Sequence, residues 1–135
     1  EEEGVENPWP PLDIDVLTPD WERVVDGHHY DAVVAINMIH ISPWEATKGL
    51  MRGAAKVLAN AAYKPPVLYT YGAYKRGGEH PAPSNEAFDA WLKERDESYG
   101  VRDLEAVEAV ANAAGFRLRE ITEMPANNLS LVFEL

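Results

Sequence analysis

Tyr30-Asp-Ala-Val-Val-Ala-Ile36 runs straight into Asn37-Met-Ile-His-Ile-Ser-Pro-Trp-Glu45, and the reading of this junction decides the fold. The unbroken apolar run from Ala32 to Ile36 suits a strand covered on both faces, which is expected at the centre of a sheet. Ser42 and Glu45 have the spacing of a Ser-x-x-Glu capping box, with Pro43 at the first helical position, where its missing N–H costs nothing. Open parallel sheets bind ligands outside the carboxyl ends of their strands. Asn37, Met38 and His40 therefore point toward the expected crevice.

The helix that begins at Pro43 carries Thr47, Leu50, Met51, Ala54, Val57 and Leu58 at three-and-four spacing, so one face packs on a sheet, and it runs to about Asn60. Pro65-Pro66 blocks its continuation. Val67-Leu-Tyr-Thr-Tyr71 reads as a second strand ending in Tyr71-Gly72-Ala73-Tyr74. A strand–helix–strand crossover of this length predicts a right-handed βαβ unit with parallel strands that share a mouth at their far ends.

Upstream, Leu12 to Leu17 alternates apolar and acidic residues as a short strand would, and Asp20 to Val25 reads as one or two helical turns closed by Gly27. Downstream, Lys75 to Ser84 holds Gly77, Gly78, Pro81 and Pro83, a loop long enough to be a lid. Ser84 is expected to cap a helix from Asn85 to Glu94 with Phe88, Trp91 and Leu92 on one side. Asp103 is expected to cap another through Ala114, with Leu104, Val107, Val110, Ala111 and Ala114 inward and Gly115 as a left-handed stop. Phe116 to Ile121 and Leu129 to Leu135 then read as an antiparallel pair at a sheet edge, joined by Met124 to Asn128.

A chain of 135 residues with 46% hydrophobic content supports one core. Residues 1–11 are expected to form an extended acidic, proline-rich lead-in and residues 12–135 the domain. The net charge of −11, without a lysine and arginine stripe, argues against nucleic acid and anionic membrane as partners. The absence of cysteine excludes disulfides, thiolate metal sites and cysteine nucleophiles. No signal peptide or membrane-length apolar run is seen, so a soluble, cytoplasmic protein is expected. His28-His29 and His80 lie in turns without ligand spacing, and no metal site is expected.

Ile36-Asn-Met-Ile-His-Ile-Ser-Pro-Trp-Glu-Ala46, Tyr69-Thr-Tyr-Gly-Ala-Tyr74, Ser84-Asn85 with Phe88-Asp89, Gly100 with Arg102-Asp103, and Met124-Pro-Ala-Asn-Asn128 together resemble the methyltransferase-like protein 26 family. That family is similar to class I S-adenosylmethionine-dependent methyltransferases. The resemblance covers nearly the whole chain from Pro11 onward. It implies an α/β, Rossmann-like class I methyltransferase fold with a mostly parallel sheet and an antiparallel carboxyl-terminal hairpin. Leu12–Leu17 resembles its third strand, Tyr30–Ile36 the fourth, Val67–Tyr71 the fifth and the last two segments the sixth and seventh. The first two strands have no counterpart, nor have the glycine-rich cofactor turn and the ribose-binding acidic residue that accompany them. The domain is thus expected to be incomplete, its fourth strand left with an unpaired edge that is a template for pairing.

The resemblance implies S-adenosylmethionine as cofactor, with Asp15 accepting from the adenine amino group, the Val16 N–H meeting a ring nitrogen, and Asn37 and Met38 beside the methyl donor. His40 is the residue placed to act as a base near neutral pH, although a histidine ahead of a helix also serves by bonding a neighbouring carbonyl. Tyr71 and Tyr74 shape a substrate pocket or pack around the sheet end. Asn85, Asp89, Arg102 and Asp103 match family positions, with Asp103 also explained as a cap. Asn127 and Asn128 line the crevice or make the turn. Three functions follow as expectations: methyl transfer to a small acceptor; a non-catalytic module that holds a protein partner, or a second copy, through its open sheet edge or acidic surface; or another Rossmann-like enzyme, such as a nicotinamide-dependent one, against which the Asn37–Glu45 motif speaks.

Overall fold

β1 (Ala32–Ile36) lies parallel to β2 (Val67–Lys75) in a register that runs from Ala32 opposite Val67 to Ile36 opposite Tyr71. The connection between them passes through α1 (Trp44–Leu58), as a parallel pair requires. The computed structural model describes residues 10–135, so most of the expected lead-in lies outside the described residues. β2 does not stop at Tyr71. Gly72 and Ala73 pair with Leu129 and Asn128, and Tyr74 and Lys75 pair with the two-residue β3 (Arg102–Asp103), so new ladder partners carry the strand to the first residue of the expected loop. β5 (Asn128–Glu134) runs antiparallel to β2, and β4 (Arg117–Met124) antiparallel to β5, giving the order β1-β2-β5-β4. The turn between them holds Ala126 and Asn127 at φ 64° and 60°.

Several expectations about elements need correction. Val34 and Ile36 are 58% and 59% exposed, and β1 is the edge strand, not a central one covered on both faces. The apolar run hid an alternation: Val33 and Ala35 share the packed face with Leu68 and Thr70, while Val34 and Ile36 share the other with Tyr69 and Tyr71. Leu12–Leu17 is not a strand, because a strand needs a ladder partner and none is available beside it among the described residues. The cap assignments of Ser42 and Ser84 also shift. Ser42 is extended, and its hydroxyl donates back to the Met38 carbonyl at 2.8 Å, so Pro43 becomes the N-cap of α1 without a capping box. α2 (Pro83–Arg95) starts with Pro83 at its first turn and Ala82 as N-cap, which leaves Ser84 inside the helix. The expected lid is pinned: Arg76 and Glu79 exchange backbone hydrogen bonds, and the Gly77 N–H donates to Glu105.

The core sits between the sheet and the pair formed by α1 and α3 (Leu104–Ala113). Leu50, Met51, Ala54 and Leu58 of α1 and Leu104, Val107 and Ala111 of α3 cover Leu68, Leu131 and Phe133. Phe116 closes the end edge-to-face with Phe133. α3 stops as expected, with Gly115 at φ 107° and the Phe116 N–H returning to the Ala111 carbonyl. A smaller cluster of Ala73, Leu92 and Val101, with Phe88 and Tyr99, seats α2 at the carboxyl end of β2. The outer side of α1 receives the upstream segment. Trp21 lies on Gly53 and donates its indole N–H to the Gly49 carbonyl at 2.8 Å, and the Val16 carbonyl rests on Gly49. A Cβ at either glycine would overlap these atoms. Glu22 adds ion pairs to Arg52 and Lys56. Among the described residues, no helix is long and apolar enough to cross a membrane.

Candidate active site

Beyond Ile36 the β1 backbone turns sharply. Asn37 sits at φ 55°, a left-handed conformation asparagine tolerates, while its N–H still donates to the Tyr71 carbonyl at 2.8 Å. A 3-10 turn over Ile39–Ile41 then swings the His40 ring across β2. Glycine gives the ring its room: a Cβ at residue 72 would stand 3.1 Å from His40 Nδ1, close enough to push the ring by a few tenths of an ångström, and 3.6 Å from the Asn37 side-chain oxygen. Phe88 of α2 backs the ring edge-to-face at 5.3 Å, and the His40 carbonyl accepts from the Gly100 N–H. Arg102 fixes the far side by donating to the carbonyls of Ser42 and Ser98 at 2.9 and 2.7 Å.

His40 is 6% exposed, and among the described residues its imidazole makes no hydrogen bond. Burial holds its pKa below the ordinary histidine value, because the charged form loses its hydration without gaining a partner. The neutral ring lines an open cavity of about 410 Å³ together with Asn37, Asn85 and Asn128. Four of the sequence candidates thus converge on one mouth. Asn127 joins Asn128 and Tyr74 around a second cavity of about 350 Å³, and the two cavities share Asn128 as a wall. Tyr71 is half-buried on the open sheet face, where its hydroxyl accepts from the Asn128 amide at 3.2 Å.

The remaining candidates do not line the His40 mouth. Tyr74 is 2% exposed, its hydroxyl meets Thr70 at 2.9 Å, and burial pushes its pKa up to about 12 against that hydrogen bond. Met38 packs against the core. Asp15 is exposed, its carboxylate accepting from the Leu17 N–H in a local turn, and Val16 lies over α1 at Gly49. Asp103 occupies the N-cap position of α3 without making a side-chain capping bond.

Sequence reasoning missed the pairing of His80 with Asp89. His80 Nε2 stands 3.4 Å from Asp89 Oδ2, with side-chain exposures of 14% and 10%. Burial raises the Asp89 pKa, but the Val101 N–H at 2.8 Å and Lys93 at 3.1 Å outweigh it and hold the carboxyl below its ordinary range. No spacing rule joins residues nine apart across a turn and a helix start. Only the pinned Arg76–Glu79 turn and the register of α2 bring them together.

The model of a protein family described as "Protein of unknown function (DUF938)" matches residues 1–135. The chain belongs to the DUF938 family. Its fold is shared with solved structures. An O-methyltransferase family protein from Burkholderia thailandensis is similar at a TM-score of 0.72 and 11% identity, over 91% of this chain and 34% of that one. The pyocyanin biosynthetic protein PhzM is similar at 0.62 and 15% identity, over 78% and 30% of the two chains. LepI, solved in complex with SAM, is similar at 0.64 and 13% identity, over 80% and 27%. The chain thus spans about a third of the length of these structures. It has an α/β, methyltransferase-like fold with a mixed sheet and three α-helices among the described residues.

Proposed function

We propose that this chain carries the second half of a class I S-adenosylmethionine-dependent methyltransferase fold, as in the methyltransferase-like protein 26 family, and serves methyl transfer to a small acceptor. The observation that carries the reading is His40: a buried imidazole, held neutral by its surroundings, that lines the shared mouth of a parallel strand pair. The likeness of the whole sheet to methyltransferase structures supports it. When bound, S-adenosylmethionine supplies an electrophilic methyl group. Asn37 and Met38 are the residues proposed beside that group. Asp15, with one carboxylate oxygen outside its local turn, and the Val16 N–H are proposed for the adenine end. A carboxylate and a backbone N–H suit the amino group and ring nitrogen of an adenine by their chemistry, whereas the structure holds Asp15 and Val16 with the segment over α1 and packs Met38 against the core, apart from the cavity at Asn37 and His40. The glycine-rich turn for the cofactor's remaining part is proposed to belong, with the first two strands, to sequence not present among these residues.

His40 receives the proton that the acceptor's nucleophilic atom releases, a role suited to a ring whose lone pair no protein donor occupies. Phe88 and Gly72 fix the ring's plane, and Asn85 and Asn128 orient the acceptor by hydrogen bonds. Tyr71 and Tyr74 are proposed to wall the acceptor side, Tyr74 as packed support and not as a hydroxyl donor. Asn127 shapes the turn above it. Calorimetric titration with S-adenosylmethionine tests the reading. Saturable binding is expected for this chain preceded by a strand, a Gly-x-Gly turn and a second strand, weakened by Asn37→Leu. No binding in that form would refute it.

A second reading is favoured by one observation, the bare edge and face of β1 at Val34 and Ile36. An unpaired apolar edge is a pairing template, so a non-catalytic module that recruits a partner, or a second copy, through β1 is the alternative. Light scattering after size-exclusion chromatography separates them. A monomer at every concentration weakens the self-pairing version, whereas a dimer broken by Val34→Lys supports it.

A further inference from the structure

Asn85 is 5% exposed, and among the described residues its side chain makes no hydrogen bond. Its amide is not sealed off. Unlike the enclosed, unpartnered atoms of Thr47, His80, Arg102 and Asp103, the amide oxygen and nitrogen of Asn85 keep accessible surface, as do both ring nitrogens of His40. That surface opens on the cavity that Asn85 lines with Asn37, His40, Phe88 and Asn128. Asn128 commits its amide hydrogens to the Tyr71 hydroxyl and the Pro125 carbonyl, so its oxygen remains as an acceptor. No Asp, Glu, Lys or Arg stands in the lining. Charges on the adjoining elements are bonded elsewhere, Asp89 to the Val101 N–H and Lys93, and Arg102 to the carbonyls of Ser42 and Ser98. The mouth thus offers hydrogen bonds of both senses and no counter-charge. A charged group entering it would give up hydration without meeting an opposite charge, whereas a neutral polar group exchanges water for the carboxamides.

We infer that the acceptor is an uncharged molecule with a carboxamide or lactam edge, bound by the Asn85 amide and the Asn128 oxygen, on a body that brings a hydroxyl to His40. The inference rests on the methyltransferase reading and names its substrate class. Asn85 is the residue that sets the specificity. Its carboxamide gives one hydrogen bond and takes another side by side, and an edge of the same kind satisfies both at once. A carboxylate has no hydrogen to give and an ammonium no lone pair to offer, so either would leave half of the Asn85 amide unpaired in a nearly buried place. Phe88 supplies an apolar wall for the body between the two polar ends.

Three phenols of nearly the same shape test it on the full chain at about pH 7: meta-hydroxybenzamide, which is neutral, meta-hydroxybenzoate, an anion, and meta-hydroxybenzylamine, a cation. Binding is read by nitrogen-15 NMR of the Asn85 side-chain amide and the His40 ring. The expected result is a saturable shift of both with the benzamide, at an affinity about tenfold or more above either charged analogue. Asn85→Leu should weaken the benzamide about tenfold. Asn85→Asp keeps the shape and adds a charge, and should turn the preference toward the benzylamine. Equal binding of the three phenols, tighter binding of a charged one, no binding of the benzamide, or an unchanged preference in Asn85→Asp would overturn the inference. If a variant fails to fold, the ranking of the three phenols on the wild type still decides. Preference for the benzamide without S-adenosylmethionine binding by the upstream-extended chain would remove methyl transfer and keep the neutral-ligand site, whereas cofactor binding with a charged phenol preferred would remove the inference alone.

Discussion

Replacing Gly53 of α1 by alanine should destabilise the protein, against the preference of helices for alanine. Helix propensity alone makes Gly→Ala in a helix interior favourable by about 1 kcal/mol. In this chain a Cβ at residue 53 would fall inside the Trp21 indole, which is 6% exposed and must leave. Burying a side chain of this size removes about 200 Å² from water, worth up to about 5 kcal/mol at 25 cal/mol/Å², and roughly a third less once residual burial in the unfolded chain is counted. The lost indole hydrogen bond to the Gly49 carbonyl adds about 1 kcal/mol. The net change is a loss of roughly 3 kcal/mol, opposite in sign to the propensity term. The segment can also leave α1 while the sheet stays folded. The effect is therefore read twice, as a lower urea midpoint and as a red shift of tryptophan emission under native conditions. In a Trp21→Ala background the same substitution should turn neutral or stabilising by about 1 kcal/mol, a double-mutant coupling that isolates the contact. A Gly53→Ala single mutant as stable as the wild type would refute the reasoning. Displacement of Trp21 by Gly53→Ala should also free the segment that carries Asp15 and Val16, so weaker cofactor binding should accompany it if those residues hold the adenine.

Three further outcomes follow from the same geometry. Because burial depresses the His40 pKa in the folded state, the unfolded chain binds more protons as pH falls; stability should be full above about pH 6.5 and fall as pH drops through the folded pKa, and His40→Gln should flatten this slope in urea titrations between about pH 7 and 5. Gly72→Ala should displace the His40 ring and cost about 1–2 kcal/mol, seen as a shifted His40 NMR resonance and a lower midpoint, while Ala73→Gly next to it leaves that resonance in place. Arg102→Met keeps the aliphatic stem but strips the carbonyls of Ser42 and Ser98 of their donor, and should lower stability by about 2 kcal/mol in denaturant unfolding, the size expected for charged hydrogen bonds that are half-buried.

Local sequence determined those features whose causes are themselves local. The three-and-four spacing of Leu50, Met51, Ala54 and Leu58 makes a helix wherever a sheet is present to receive it, and Gly115 ends α3 because it accepts φ 107° without steric cost. The parallel sense of β1 and β2 was legible too, since a helical crossover between two strands of one sheet leaves them little other choice. The mouth with Asn37, His40, Asn85 and Asn128 came from the same rule together with the family resemblance. Tertiary structure decided what depends on which partner is there. An apolar run such as Ala32–Ile36 carries no label for edge or centre, so the exposure of Val34 and Ile36 follows from the absence of a neighbour on that side among the described residues. Leu12–Leu17 lost its strand for the same reason: a ladder is made by two segments, and the alternation of one cannot supply the other. The His80–Asp89 pair, the Trp21 seat on Gly53 and the Gly72 clearance under His40 join residues that no sequence period relates, because contact across elements is set by how they pack and not by their spacing along the chain.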